Sequence, residues 1–237
     1  MMTIQHNITK ILDQANTIHS KRQEAIKLSE AFRRSVFLEM FGDPVSNPKG
    51  WEIRKLSDLG LIVYGVPVGV FFNKLDYSSE GDILVVTLKN IQPFQFVTDA
   101  LKFISREKLN TLKNRILPGD ILLGTFGATI GNVCLFPSLF EKAVLSNGVG
   151  KITPDNQVIN TIYLSDHLFL LKDEMMKQTL GSTLLKISTL KGLKISLPPL
   201  ALQEKFAQIM QNVEIFRAHL EQSEQQGKHL LRSLTQK

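Results

Sequence analysis

Two segments of the chain repeat apolar residues with the period of a coiled coil. The first runs from Ile4 to Val36 without a proline or glycine, and the second starts at Leu202. Alternating steps of four and three residues mark these positions: Ile4, Ile8, Ile11, Ala15, Ile18, Arg22, Ala25, Ser29, Phe32 and Val36, then Leu202, Phe206, Ile209, Val213, Phe216, Leu220, Ser223, Gly227, Leu230 and Leu234. Such a repeat is the seam of a coiled coil, so both segments are predicted to be long helices. Each seam covers about 33 residues, or roughly 50 Å.

The two helical segments are also in phase with each other. When Ile11 is aligned with Ile209, Arg34-Ser35 falls on Arg232-Ser233. We interpret this as a repeated element. One helix would enter the region between them and the other would leave it, so the two are expected to run antiparallel with facing seams. Two unrelated amphipathic helices, each covering a core, are the alternative.

The residues between the helices alternate between strand and turn patterns. Short apolar runs bounded by glycine, proline or aspartate lie at 81–88, 118–127 and 148–154, which predicts strands. Helical patterns lie near 105–113 and 160–178. The predicted fold class is therefore α+β: one domain of mixed helix and sheet with two long antiparallel coiled-coil helices.

Helix-breaking residues set the predicted boundaries. Gly42-Asp43-Pro44 cannot continue the first helix, and Pro198-Pro199 comes immediately before the second. The predicted segments are an N-terminal helix at 1–42, a central domain at 43–198 and a C-terminal helix at 199–237.

The composition of the chain argues against several classes of protein. Hydrophobic residues make up 43% of the 237 positions, which permits a buried core. The single cysteine, Cys134, allows no disulfide and no cysteine-based zinc site within the chain. No apolar stretch is long enough for a membrane span and no secretory signal is evident, so we expect a cytoplasmic protein without membrane contact. The formal net charge of +6 permits nucleic-acid binding without requiring it.

The motifs of common catalytic sites are missing from the sequence. There is no P-loop, no paired-acid-and-lysine spacing of the metal-dependent nucleases, and no metal-ligand spacing among the histidines. The glycine-rich stretch at 124–132 lacks the dinucleotide-binding spacing, so its glycines are predicted to serve tight turns. Cys134 lies in an apolar run and is predicted to be a core residue. We therefore expect a binding protein with no catalytic residue, no metal and no cofactor.

Several stretches resemble the DNA-specificity subunit of Type I restriction-modification systems. The longer ones are MFGDPVSNPKGW (40–51), LPGDILLGTFGATIGN (117–132), LSNGVGKITPD (145–155) and STLKGLKISLPPLALQEKFAQI (188–209). Shorter ones are GVP (65–67), ILVVTLKNI (83–91) and ISREKL (104–109). Together they extend over almost the whole chain.

This resemblance implies a target-recognition domain between two conserved helices that bind methyltransferase subunits. Subunits of this family usually have two recognition domains, each followed by a helix. This chain has one domain with a helix on each side, so it resembles half of such a subunit. The family's specificity subunit does no chemistry itself, and the implied partners are double-stranded DNA, methyltransferase (modification) subunits and a restriction subunit.

The candidate DNA contacts were chosen by side-chain chemistry, since the resemblance does not transfer them. Lys and Arg bind phosphates, whereas Asn or Gln pairs with adenine and Lys with guanine. The phosphate candidates are Lys74, Lys102, Lys113, Arg115, Lys186 and Lys191. The base candidates are Lys89, Asn90 and Gln92 after the strand at 83–88, with Asn114, Thr125 and Asn147 as further candidates near glycine turns.

Three alternatives stay open at this level. Two copies could assemble through the helices into a homodimer with a domain at each end, or the two helices of one monomer could simply pair. The chain could also be a protein-interaction module whose helices are the functional part and which binds no DNA. The third alternative is a small enzyme with a site around 124–132.

Overall fold

The computed structural model describes residues 2–65, 81, 83–99, 101–105, 116–179 and 181–235. The helices are α1 (Met2–Phe41), α2 (Thr161–Leu170), α3 (Lys172–Lys177), α4 (Ile187–Lys191) and α5 (Leu200–Thr235). The strands are β1 (Glu52–Lys55), β2 (Gly60–Tyr64), β3 (Ile83–Val86), β4 (Ile91–Gln92), β5 (Gln95–Phe96), β6 (Phe103–Ile104), β7 (Ile121–Gly124), β8 (Val133–Leu135), β9 (Ala143–Leu145), β10 (Val149–Pro154) and β11 (Lys194–Leu197). Two compact units result: a helix pair (2–40 and 205–235) and a central domain (41–204).

Side-chain contacts show that the two long helices run antiparallel. The ring of Phe37 in α1 meets that of Phe206 in α5 edge to face, with 5.6 Å between centroids. Arg33, one turn earlier in α1, forms an ion pair with Glu214, two turns later in α5, at 2.5 Å. From the first contact to the second, the residue number decreases in α1 and increases in α5, so the two helices are antiparallel. The α+β fold class, with its two long antiparallel helices, is confirmed.

The strands that the structure describes in the central domain form four small sheets. One has the order β2-β10-β7-β8 and is antiparallel throughout. A second has the order β6-β3-β9, in which β3 and β9 are parallel. The pairs β1-β11 and β4-β5 complete the set. All four residues of β3 and of β7 are buried, as the apolar runs of the sequence predict.

One hydrophobic core joins the two larger sheets. Its buried members are Leu84, Val86, Ile91, Ile116, Leu122, Cys134, Phe136, Ala143, Leu145 and Val149. Cys134 is thus a core residue, as predicted, and burial raises the pKa of its thiol to about 12. The predicted helix near 105–113 falls almost wholly outside the described residues, whereas the pattern at 160–178 forms α2 and α3.

Local polar contacts fix the ends of the domain. The chain leaves α1 through Gly42, whose φ of +82° favours glycine, and Asp43 caps the following turn by accepting hydrogen bonds from the amides of Val45 and Ser46. At the other end, Gln203 accepts from the amide of Asn160 and donates to the carbonyl of Pro198.

Candidate nucleic-acid interface

Four short segments of the central domain meet where several strands end. We call this surface the strand-end edge and define it as Thr87–Asn90, Thr125–Gly127, Ser146–Gly148 and Thr183–Lys186. Backbone hydrogen bonds of 2.7–2.8 Å join three of the segments: the Thr125 amide donates to the Gly148 carbonyl, the Leu185 amide to the Thr125 carbonyl, and the Gly127 amide to the Thr183 carbonyl. The Ser146 amide donates to the carbonyl of Val86, the residue before the segment Thr87–Asn90. Loops tied together in this way hold their side chains in fixed relative positions.

Gly148 allows these segments to approach closely. Its φ is +84°, and a Cβ at this position would lie 3.1 Å from Leu88 Cδ1 and 3.2 Å from Phe126 Cβ. A side chain here would be strained and would press on two other segments of the edge. The glycine therefore has a packing reason for its position.

The strand-end edge contains positive charge and no negative charge. None of its four segments has an Asp or a Glu, and Lys89 and Lys186 are both exposed there. Asn147 is exposed beside them on the turn that precedes β10. Cations with a neutral hydrogen-bonding side chain between them can bind phosphates and contact a base edge.

Two apolar side chains are also exposed at this edge. Phe126 is 46% exposed and Leu184 is 38% exposed, and their backbones form an isolated antiparallel bridge. Neither residue is among the contacts predicted from the sequence. The only available signal was an aromatic residue between two glycines at a strand end, which tight turns explain equally well.

Ten of the twelve predicted contact residues divide into three groups. Lys89, Asn147 and Lys186 are exposed on three different segments of the strand-end edge. Three others are exposed elsewhere: Gln92 in the β4-β5 hairpin, Lys102 just before β6, and Lys191 in the last turn of α4. Lys74, Lys113, Asn114 and Arg115 lie outside the described residues.

Two base-contact candidates are buried, and the geometry corrects both. Asn90 is 2% exposed; its side chain accepts hydrogen bonds from the amide and hydroxyl of Thr87 at 2.9 Å and donates to the carbonyl of Val97. The amide thus holds the turn, and a base could reach it only if that turn opened. Thr125 is 0% exposed, with its hydroxyl inside the domain. Residue type and position after a strand suggested both, and burial decides against them.

The glycine-rich stretch forms the predicted turns. Gly127 and Gly131 have φ values of +56° and +80°, and Lys172 packs against Gly131 while its Nζ donates to Asn132 Oδ1 at 2.8 Å. Across the part of the chain that the structure describes, no group of three or more His, Cys, Asp or Glu side chains could hold a metal ion. No described helix is long and apolar enough to cross a bilayer.

A buried ion pair lies toward the end of β7 that is away from the strand-end edge, and it joins the residue before β7 to β10. Asp120, 3% exposed, forms an ion pair with Lys151 at 3.0 Å and accepts hydrogen bonds from the Thr153 hydroxyl and the Leu117 amide. Lys151 is 6% exposed, so its charge is used inside the domain and is not available to a phosphate. The network ties the loop before β7 to β10.

A second buried polar group covers the outer side of β11. The amide of Ser196 donates to His167 Nε2 at 3.1 Å, and the Tyr163 hydroxyl donates to the carbonyl of Ser196 at 2.7 Å. Burial lowers the pKa of His167 to about 3, and burial also raises the pKa of Tyr163. These side chains make the hydrogen bonds to β11 that a neighbouring strand would otherwise make. The neutral imidazole is suited to this structural role.

The helix pair has an open apolar groove. Its volume is about 590 Å³, and its lining residues are Ala25, Leu28, Ser29, Phe32, Ile209, Asn212, Val213 and Phe216. Most belong to the predicted seam, yet Phe32 is 51% exposed and Phe216 is 54% exposed. The seam residues therefore share one face of the pair, but this part of the seam is not closed.

The family of the chain follows from its match to a family model. The model for the Type I restriction modification DNA specificity domain matches residues 48–227. That range is most of the chain, and the chain belongs to this family, as the resemblance in its motifs predicts.

Individual relatives agree with this assignment. The specificity subunit of the Type I restriction enzyme MjaIX from Methanocaldococcus jannaschii is 28% identical over 178 residues, which cover 69% of this chain and 38% of the relative. The MjaVIII specificity subunit of the same organism is 24% identical over 191 residues, covering 79% and 41%. The aligned parts thus cover well under half the length of these curated relatives.

Solved structures share the fold. The S subunit of a Type I restriction-modification system from M. genitalium aligns with a TM-score of 0.64 at 13% identity, covering 97% of this chain and 59% of that one. The HsdS subunit from Thermoanaerobacter tengcongensis aligns with a TM-score of 0.57 at 17% identity, covering 98% and 56%. At these identities the likeness concerns the fold.

Proposed function

We propose that this chain recognises a specific sequence in double-stranded DNA and that the strand-end edge makes the contact. The main support is the arrangement of Lys89, Asn147 and Lys186 on segments without acidic residues, joined by backbone hydrogen bonds. Lys186 would bind phosphate, while Lys89 and Asn147 would contact base edges. Gln92, Lys102 and Lys191 would extend the contact. Family membership supports the same conclusion.

We further propose that the chain contacts one half of a two-part site within a Type I restriction-modification complex. Its matched relatives carry the name of Type I specificity subunits and are more than twice as long as the part aligned here. One central domain would contact one half-site. The segments 1–42 and 199–237 would act as spacer helices on either side of the recognition domain at 43–198.

The helices would provide the assembly surface. The groove between α1 and α5 exposes large apolar side chains of both helices, among them Phe32 and Phe216. Apolar surface of this extent on a helix pair is typical of a protein interface. We propose that methyltransferase subunits dock on the helices and that a second copy of the chain can pair through the groove, which would supply the second recognition domain.

In this proposal the chain is not an enzyme. Modification and restriction would be carried out by partner subunits, and the chain would bring no metal or cofactor of its own. The cytoplasm, where DNA is accessible, remains the predicted location.

Selection of bound sequences from a library of random duplexes tests the recognition directly. The full chain is expected to enrich one sequence motif, and its affinity for the enriched duplex should fall steeply with added salt because phosphate contacts release counterions. Lys186→Gln should reduce the salt dependence. Lys142→Gln is the matched control, since Lys142 lies directly before β9, at the opposite end of that strand from the strand-end edge.

The competing function is a protein-interaction module that binds no DNA. The exposed groove of the helix pair is the observation that favours it. Such a module would enrich no motif and would show no salt-dependent DNA binding. Enrichment of a motif by the chain would exclude it.

A further inference from the structure

Phe126 is not assigned a DNA contact in the function proposed above. It is 46% exposed on a loop at the centre of the strand-end edge, and Leu184, 38% exposed, is paired with it through the backbone. Single exposed apolar residues are common on protein surfaces. An aromatic residue on a surface that also exposes Lys89, Asn147 and Lys186 is a more specific feature, because it adds apolar surface where the proposed DNA contact is otherwise polar.

The backbone at Phe126 is held on both sides. The amide of Thr125 donates to Gly148, its carbonyl accepts from Leu185, and the amide of Gly127 donates to Thr183. A Cβ on Gly148 would come within 3.2 Å of the Phe126 Cβ, so the turn at Gly148 packs directly against this side chain. Phe126 is therefore a positioned side chain on a fixed loop.

The partial burial of the ring restricts what it can contact. A residue that inserts between base pairs needs a side chain that stands clear of the protein surface. Phe126 keeps about half of its surface on the protein, which suits contact with a group that projects toward it. Among the four bases, only thymine presents an apolar group in the major groove, its 5-methyl.

We infer that Phe126, supported by Leu184, is a specificity-determining residue that packs against the 5-methyl group of one thymine in the bound half-site. This inference rests on the proposed function. Lys89 and Asn147 would contact neighbouring base edges, and Lys186 a phosphate. Phe126 would add discrimination for thymine, which the charged and amide side chains do not provide.

Replacement of thymine by deoxyuridine tests the contact one methyl group at a time. In the duplex enriched by selection, each thymine is replaced in turn and the affinity of the full chain is measured. One position should lose about three- to fivefold in affinity, the effect of one buried methyl group. With Phe126→Ala, the thymine and deoxyuridine duplexes should bind equally at that position.

A matched control separates this contact from general apolar exposure. Leu139 is 73% exposed in the segment between β8 and β9, at the end of β9 away from the edge. Leu139→Ala should keep the full preference for thymine. Loss of the preference in this control as well would contradict the assignment to Phe126.

A crosslinking experiment needs no variant and so does not depend on the folding of Phe126→Ala. Replacing the sensitive thymine by 5-iododeoxyuridine puts a photoreactive atom where the methyl group was. Irradiation should attach the DNA to Phe126, identified by mass spectrometry of the digested complex. Attachment only at other residues would overturn the inference.

The outcomes distinguish the inference from the function on which it rests. If selection enriches no motif, the proposed function fails and the inference with it. If a motif is enriched but contains no thymine, or no thymine responds to removal of its methyl group, the inference alone fails.

Discussion

The central domain and the helix pair differ in how far their large apolar side chains are buried. In the central domain, residues of β3 and β7 are buried completely in a core shared by two sheets. In the helix pair, Leu28, Phe32 and Phe216 are each more than half exposed around an open groove. The domain therefore completes its own core, whereas the helix pair leaves apolar surface exposed, and we propose that a further protein covers this surface.

Buried charge follows the same division. Asp120 and Lys151 neutralise each other inside the domain, with additional hydrogen bonds from Thr153 and Leu117. In the helix pair, Arg33 is buried but its partner Glu214 has a side chain that is 41% exposed. The stability of the domain should therefore depend on its interior, and the assembly of the helix pair on its surface.

The largest effect is expected from breaking the buried ion pair. Asp120→Asn removes the negative charge that faces the buried Lys151 ammonium, which should lower the free energy of unfolding by about 3–5 kcal/mol. Urea denaturation measures the change. Glu141→Gln, at an exposed carboxylate before β9, should change it by less than about 0.5 kcal/mol. Equal effects would contradict the role given to Asp120.

Truncating a buried apolar side chain should cost more stability than truncating a half-exposed one in the groove. Leu122→Ala creates a cavity in the core and should cost about 3 kcal/mol of stability. Phe216→Ala removes a larger side chain, but because it is half-exposed in the groove it should cost under about 1 kcal/mol. Urea denaturation at low protein concentration separates the two.

Phe216→Ala should act instead on assembly. Sedimentation at micromolar concentration should show weaker self-association, by about tenfold or more, while Leu122→Ala leaves association of the folded chain unchanged. A wild-type chain that stays monomeric at this concentration would remove the second copy as an occupant of the groove.

Stability should also depend on pH through His167. Burial lowers its pKa from an ordinary 6.5 to about 3, an effect that outweighs the opposing influence of Asp43. The folded state therefore binds fewer protons than the unfolded state between these values, so stability is lost as pH falls below 6.5. At pH 5 the loss from this group should approach about 2 kcal/mol.

His167→Gln provides the comparison, because the Gln side-chain oxygen can still accept from the Ser196 amide but does not titrate. The variant should be less sensitive than the wild type to a change from pH 7 to pH 5. Identical pH profiles would show that His167 does not control this dependence.

Periodicity made the framework of the fold predictable from sequence. Proline pairs and Gly42 marked the helix ends because backbone chemistry acts locally, and continuous apolar runs indicated the buried strands. The site was less accessible to such reasoning. Asn90 and Lys89 are neighbours with similar polarity, yet one is buried in its turn and the other is exposed. Their orientation depends on tertiary packing, as does the meeting of Phe126 with Leu184.

Effects on DNA binding are expected at the strand-end edge, where two lysines should behave differently. Lys186→Gln would remove the proposed phosphate contact, so affinity should fall similarly for every sequence and the salt slope by about one. Lys89→Ala would remove the proposed base contact and should relax the preference at one base pair by about 1–3 kcal/mol. A binding series over all single-base variants of the enriched duplex distinguishes them, with Lys142→Gln as the control. Neither variant should change sedimentation, because assembly is proposed to occur through the helix pair. Uniform weakening by Lys89→Ala would reassign that residue to phosphate, and a changed association state would show that the edge and the helix pair do not divide these tasks.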